Sequence, residues 1–316
     1  MYFRSQTLFQ ANILTILLPL SAALSQLRAD LYNAAPIPVN ATLPDGSTGY
    51  WQPTVVTLIS GASEAVLIDT LFTADQAIAL GDWIEATIPN KRLTKIYITH
   101  GHGDHFFNTP YLATRFPGVE IISTQASITH MSSQLTPEFR SFWSTLFPSQ
   151  IPLSSFQVLA KPLDDTNKFT LEGHILSAVD AGHSDTDSTT FLHIPFLNMV
   201  VAGDIVYNDV HMWLAESPLQ SQRDLWIQSL DKIASLNPGI VIGSHHRPGG
   251  VDGAFNIEAS KTYIRTFSEL RGKATSAEDL YGKVLQAYPN RLGKLVLWLS
   301  CQAQFSSDSE AGRDEL

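Results

Sequence analysis

Three imidazoles and one carboxylate fall within residues 100–105, in the run Thr99-His100-Gly101-His102-Gly103-Asp104-His105. Neutral imidazole and carboxylate are the ligands that zinc-like cations take. The preceding Leu93-Thr94-Lys95-Ile96-Tyr97-Ile98 has strand composition, so the cluster falls where a strand ends and a loop begins. His100 and His102, at i and i+2 of extended backbone, point to the same side. Gly101 and Gly103 carry no Cβ, so the chain can bend tightly there and bring Asp104 and His105 round to the same point.

Three more ligand candidates stand at the ends of expected strands. His183 follows Asp180-Ala181-Gly182, Asp204 follows Ala202-Gly203, and His245 follows Gly243-Ser244. Strand ends at one edge of a layered fold can converge. Together with the first run they make five imidazoles and two carboxylates. That set suits two metals sharing a carboxylate better than one four-coordinate ion, which would leave ligands over.

The elements around these residues alternate. Two strands, 55–59 and 65–69, are joined at Gly61-Ala62-Ser63 with hairpin spacing. Thr73 is placed to cap a helix over 74–88, with Ala77, Ile78, Leu80, Trp83, Ile84 and Ile88 on one broad apolar face. Helices are expected at 110–116 and 125–133, with a strand at 119–123 between them. Phe139, Phe142, Trp143, Leu146, Phe147 and Phe156 crowd the stretch 134–156. It reads either as a helix packed on the core or as an apolar wall over the site, with Phe142 and Trp143 as pocket candidates. Four short strands at 169–171, 174–179, 189–194 and 199–202 suggest a second sheet. A helix at 224–236 and a strand at 239–243 follow, then three helices over 256–301. The pattern is α/β layering. Residues 26–316 are expected to form a single domain of two sheets between helices, with the last helices as its tail.

The chain resembles the metallo-β-lactamase-fold hydrolases. Their signature His-x-His-x-Asp-His is present as His100, His102, Asp104 and His105, and their later positions match Gly182-His183-Ser184, Gly203-Asp204 and Ser244-His245. Their early aspartate matches Asp69, and the likeness spans about residues 55–250. The resemblance implies an αββα four-layer sandwich and two Zn2+ ions, with iron or manganese left open. It implies that His100, His102 and His183 hold the first metal, that Asp104, His105 and His245 hold the second, and that Asp204 bridges them. Asp69 would orient a ligand imidazole, and Asp104 would also orient a metal-bound hydroxide. His246 competes with His245, which is preferred because it follows the strand directly. His211 and Trp213, soon after Asp204, are further pocket candidates.

The chemistry so implied is attack of a metal-activated water on a carbonyl carbon. No Gly-x-Ser-x-Gly elbow offers a serine nucleophile instead. The expected reaction is hydrolysis of an ester-like or amide-like bond (lactone, lactam, cyclic carbamate or thioester) of a small organic molecule, in detoxification or specialised metabolism. No cysteine lies among the ligand positions, which points away from the antibiotic-degrading branch. Arg247 is the one nearby cation for an acidic thioester. An iron-dependent oxidoreductase of the sulfur-dioxygenase kind on the same fold is the alternative.

Composition bounds the rest. The 316 residues carry a formal net charge of −10 with no Lys/Arg cluster, which argues against nucleic-acid partners. Residues 1–25 read as a signal peptide: Arg4, a short apolar core at 11–20, then Ala23-Leu24-Ser25. That core is short for a membrane span, so a signal anchor is the lesser reading and no membrane insertion is expected after cleavage. Asn40-Ala41-Thr42 is a glycosylation triplet, and the chain ends Arg313-Asp314-Glu315-Leu316, close to a retention signal. The expected location is the endoplasmic reticulum lumen, or secretion. Cys301 is the one cysteine, so no intramolecular disulfide supports the fold.

Overall fold

The computed structural model describes residues 26–311. The targeting segment and the acidic ending read from the sequence lie outside the described residues. The strands are β1 (Arg28–Ala34), β2 (Ile37–Thr42), β3 (Thr48–Trp51), β4 (Thr54–Ser60), β5 (Glu64–Ile68), β6 (Arg92–Tyr97), β7 (Glu120–Ser123), β8 (Lys161–Pro162), β9 (Lys168–Leu171), β10 (His174–Gly182), β11 (Thr189–Ile194), β12 (Met199–Val201), β13 (Tyr207–Asn208), β14 (Ile240–Ile242) and β15 (His245–His246). The helices are α1 (Ala74–Thr87), α2 (Gly103–Phe106), α3 (Thr109–Arg115), α4 (Gln125–Ser133), α5 (Pro137–Leu146), α6 (Gln220–Ser235), α7 (Phe255–Arg271), α8 (Ala277–Ala287) and α9 (Lys294–Ala311).

One sheet runs β1-β4-β5-β6-β7-β8 and the other β14-β12-β11-β10-β9. Period-2 alternation in β4 explains how they stack. Val55 and Ile59 face the second sheet, in one apolar cluster with Leu176, Leu192 and Val201. Val56 and Leu58 face outward, in another cluster with Leu80 and Ile84 of α1. On the far side, Phe191 and Val200 pack with Trp226 of α6, Ile264 and Phe267 of α7, and Leu280 of α8. Helices therefore cover both outer faces, and the layers run αββα. Strands buried on both faces read as near-continuous apolar runs, which is how 55–59 and 65–68 appear in the sequence. The chain before Gln52 forms three strands that the sequence reading passed over. Among the described residues, no helix is long and apolar enough to cross a membrane. Asn40 is exposed on β2, and its side-chain amide donates to Thr145 O at 3.3 Å.

β5–β6 and β12–β14 are parallel pairs, so their C-terminal ends lie at a common edge of each sheet. Thr190 N donates to Thr99 O at 3.2 Å and Val55 N to Ser244 O at 2.6 Å, tying the two sheets together there. Thr73 caps α1 in a capping box with Gln76. The face of α1 is narrower than the sequence suggested: Leu80 is fully buried, whereas Ile78 is 49 % exposed. Replacing Leu80 by Ala is predicted to cost about 2–5 kcal/mol, because the cavity forms in a closed layer. Ile78→Ala should stay within about 0.5 kcal/mol. Urea midpoints of the two variants check this, and equal shifts would contradict the layering.

Candidate metal centre

Seven side chains meet at the joined sheet edges. His100, His102, Asp185 and Asp204 form one group and Asp104, His105 and His245 another, with the ligand atoms of each group within 4.8 Å of one another. Asp204 faces both groups. Its Oδ1 lies 3.4 Å from His105 Nε2 and its Oδ2 lies 3.2 Å from His245 Nε2. Asp104 sits between the same imidazoles, 3.7 Å from His105 Nε2 and 3.4 Å from His245 Nε2. All seven are buried.

Each imidazole is held from behind by one nitrogen and presents the other inward. His100 Nδ1 donates to Thr99 Oγ1 at 2.9 Å, and His105 Nδ1 to Asp69 Oδ2 at 2.9 Å. His245 Nδ1 donates to Pro53 O at 3.0 Å, and His102 Nε2 to Glu216 Oε1 at 2.8 Å. This is the arrangement that fixes tautomer and ring orientation in metal-binding histidines. The carboxylates are held likewise. Trp51 Nε1 donates to Asp104 Oδ2 at 3.1 Å, Tyr207 OH to Asp204 Oδ2 at 2.8 Å, and Ser184 Oγ to Asp185 Oδ1 at 2.7 Å.

The inward atoms His100 Nε2, His105 Nε2, Asp185 Oδ2 and Asp204 Oδ1 are buried without a hydrogen-bond partner. Buried polar atoms without partners are rare and costly. Four of them converging on two points fit a dinuclear metal site. Charge follows the same logic. Burial opposes ionisation of Asp104, but His105 and His245 outweigh it and hold the carboxyl down to about 2. Burial likewise opposes a charge on His245, yet Asp204 and Asp104 push it up to about 9.

Local backbone explains the placement. Asp69 directly follows β5 with φ of 66°, in the left-handed region that few non-glycine residues adopt. Its carboxylate accepts from Thr99 N at 2.9 Å as well as from His105. Gly101 is needed for close approach rather than for the bend expected of it, since a Cβ there would collide with His130 Nδ1. A Cβ on Gly243 would collide with Val206 O, so glycine lets β14 pass against the segment that follows Asp204.

The structure thus brings together His100, His102, Asp104, His105, Asp204 and His245, and sets Asp69 behind His105. His183 stands apart from both groups. β10 has a bulge between Asp180 and Gly182, and the His183 ring beyond it lies outside both groups. Its Nδ1 is 2.7 Å from Asp187 Oδ1 and its Nε2 is 2.8 Å from Ser217 Oγ. Asp185 stands in the first group instead, 2.9 Å from His102 Nδ1 and 3.3 Å from His100 Nε2. His246 is tied to Asp252 and Asn33, away from the site. His211 is fully buried, its Nδ1 is bonded to Tyr263 OH at 2.9 Å, and it is not among the residues lining the cavity.

The cavity over the two groups is lined by Trp51, Phe139, Phe142, Trp143 and Trp213, with Gln52, Gln134 and Glu216. Phe142, Trp143 and Trp213 were expected there. Trp51, Gln52 and Glu216 were missed, because nothing near them in the chain signals a site. The cavity measures about 30 Å³, room for a water or two.

The model of the metallo-beta-lactamase superfamily matches residues 49–245. No curated protein matches the sequence significantly. Among solved structures, a metallo-beta-lactamase family protein from Thermus thermophilus is similar at 17 % identity and TM-score 0.59, over 89 % of this chain and 94 % of that one. A metallo-beta-lactamase from Pontibacter korlensis is similar at 15 % identity and TM-score 0.53, over 76 % and 99 %. One from Hirschia baltica is similar at 14 % identity and TM-score 0.50, over 77 % and 98 %. At these identities the likeness concerns the fold.

Two measurements follow from the geometry. Asp69→Asn keeps the shape but weakens the hold on His105, so metal affinity should fall by roughly 10–100-fold; chelator competition reads it, and unchanged affinity would contradict the role. The second concerns protons. Asp204 and Asp104 push the His245 imidazole up to about 9 against burial, which favours a proton at neutral pH that cation binding displaces. Calorimetry of metal binding at pH 7, in buffers of different ionisation enthalpy, should therefore show proton release; none would contradict the coupling.

Proposed function

Because this chain belongs to the metallo-beta-lactamase superfamily, we propose that it is a di-zinc hydrolase of an ester-like or amide-like bond in a small, uncharged, apolar molecule. The observation that carries the reading is the pair of buried ligand groups sharing Asp204, with unpartnered atoms pointing inward. When bound, a pair of divalent cations polarises a carbonyl oxygen and lowers the pKa of water to about 7.

The chain's own residues supply the rest. The group around His100 and His102 would hold one cation, and Asp104, His105 and His245 the other. Asp104, held down to about 2, stays a carboxylate at any working pH and can accept a hydrogen bond from the attacking water, orienting it. Trp51 fixes that carboxylate from behind. No side-chain nucleophile is required, and Cys301 is fully buried in the core beneath the second sheet.

The wall argues for the substrate class. Three tryptophans and two phenylalanines line the cavity, and no lysine or arginine does. Away from the ligand groups, a substrate carboxylate would meet no cationic side chain on this wall, and buried charge without a counter-charge is costly. Arg247 is engaged with Asp209 and Asn290 O. This favours a lactone, lactam or cyclic carbamate over an acidic thioester. α5 carries Phe139, Phe142 and Trp143 along one side of this cavity of about 30 Å³.

Purified protein is expected to hold two equivalents of zinc and to hydrolyse neutral aryl lactones or esters. Carboxylate-bearing analogues should lose roughly tenfold or more in kcat/KM. Asp204→Ala should lose metal and turnover together. Full turnover in that variant, or bound iron with oxygen uptake and no hydrolysis, would overturn the proposal.

A further inference from the structure

We infer that Asp185, not His183, is the third protein ligand of the first metal, so that the two-metal centre contains three carboxylates. The inference rests on the two-metal reading above and concerns which residues of this chain build it.

The hydrogen bonds around His183 hold its ring away from both ligand groups. Its Nδ1 faces the Asp187 carboxylate at 2.7 Å, which can only accept, so Nδ1 donates. Its Nε2 faces Ser217 Oγ at 2.8 Å. The Ser217 hydroxyl also donates to Ser184 O at 2.9 Å, so the same serine holds the His183 ring and the loop after it. Both nitrogens are engaged by neighbours outside the ligand groups. His183 works as a strut: it ties the loop after β10 to the segment ending at Ser217.

Asp185 has the opposite pattern. Oδ1 is held by Ser184 Oγ, while Oδ2 is buried without a hydrogen-bond partner, 2.9 Å from His102 Nδ1 and 3.3 Å from His100 Nε2. Its side chain is fully buried. Glu216 supports the arrangement from both sides, accepting from His102 Nε2 at 2.8 Å and from Thr186 Oγ1, next to Asp185, at 2.5 Å. One side chain thereby sets the spacing between two first-site ligands.

The exchange changes the charge and hardness of the centre. Two dications facing Asp104, Asp185 and Asp204 keep one residual positive charge, where two carboxylates would leave two. A weaker positive field suits a cavity without lysine or arginine. A carboxylate in place of an imidazole also moves the first site toward oxygen-preferring ions such as manganese.

Metal equivalents per chain and the absorption spectrum of the cobalt-loaded protein test this, with circular dichroism confirming that each variant folds. Wild type should bind two equivalents, Asp185→Asn one, and His183→Asn two with an unshifted cobalt spectrum. Two equivalents and an unshifted spectrum in Asp185→Asn would overturn the inference, whatever His183→Asn does. If both variants lose an equivalent, Asp185→His decides: a restored second equivalent with a shifted spectrum supports the assignment, and no restoration overturns it. A wild-type protein that binds no metal would instead overturn the two-metal reading itself.

Discussion

Three carboxylates and four imidazoles share one nearly dry edge of two stacked sheets, and their charges must be compensated without water. Asp104, Asp185 and Asp204 are each at most 4 % exposed. Buried charge of this density is tolerated only when it is paired or coordinates a cation. The surrounding structure meets that need with a ring of fixed partners: Thr99, Asp69, Pro53 and Glu216 behind the histidines, and Trp51, Tyr207 and Ser184 behind the aspartates. Inside this ring, His100 Nε2, His105 Nε2, Asp185 Oδ2 and Asp204 Oδ1 are left without a hydrogen-bond partner, facing a common centre. The parallel strand pairs exist, in functional terms, to deliver those atoms to one edge.

Two layers of constraint meet at that edge. The sheets are closed on both sides by helices, so the strands entering the site are held by apolar packing on each face. The site itself is closed from above by aromatic rings, with Trp51 5.4 Å from Trp143 and 6.3 Å from Trp213, centroid to centroid. Dry walls strengthen every electrostatic interaction inside. They also fix what the site can accept, since an apolar, cation-free wall rewards uncharged substrates.

The most local part of the site was the most legible. His100 to His105 are contiguous and end a strand, so both their types and their convergence could be read from the sequence. Asp204 and His245 were readable because each follows a small residue at a strand end, and Asp69 because it ends the second strand of a hairpin. Asp185 was not, since spacing alone does not distinguish it from His183 two residues earlier. The choice depends on the bulge in β10 and on Ser217, more than thirty residues away. Trp51, Tyr207 and Glu216 are invisible for the same reason: each comes from a separate segment, and only tertiary packing brings it to the ligands. The layered fold was legible through the apolar runs of the doubly buried strands. The strands before Gln52 were not, because short, half-exposed strands lack that signature.

The most direct measurement of the central claim is anomalous diffraction from crystals of the purified protein, recorded on both sides of the absorption edge of the metal it carries. The account predicts two peaks per chain, one among His100, His102, Asp185 and Asp204 and one among Asp104, His105, His245 and Asp204. A single peak elsewhere in the fold, or none in protein that hydrolyses its substrate, would contradict it.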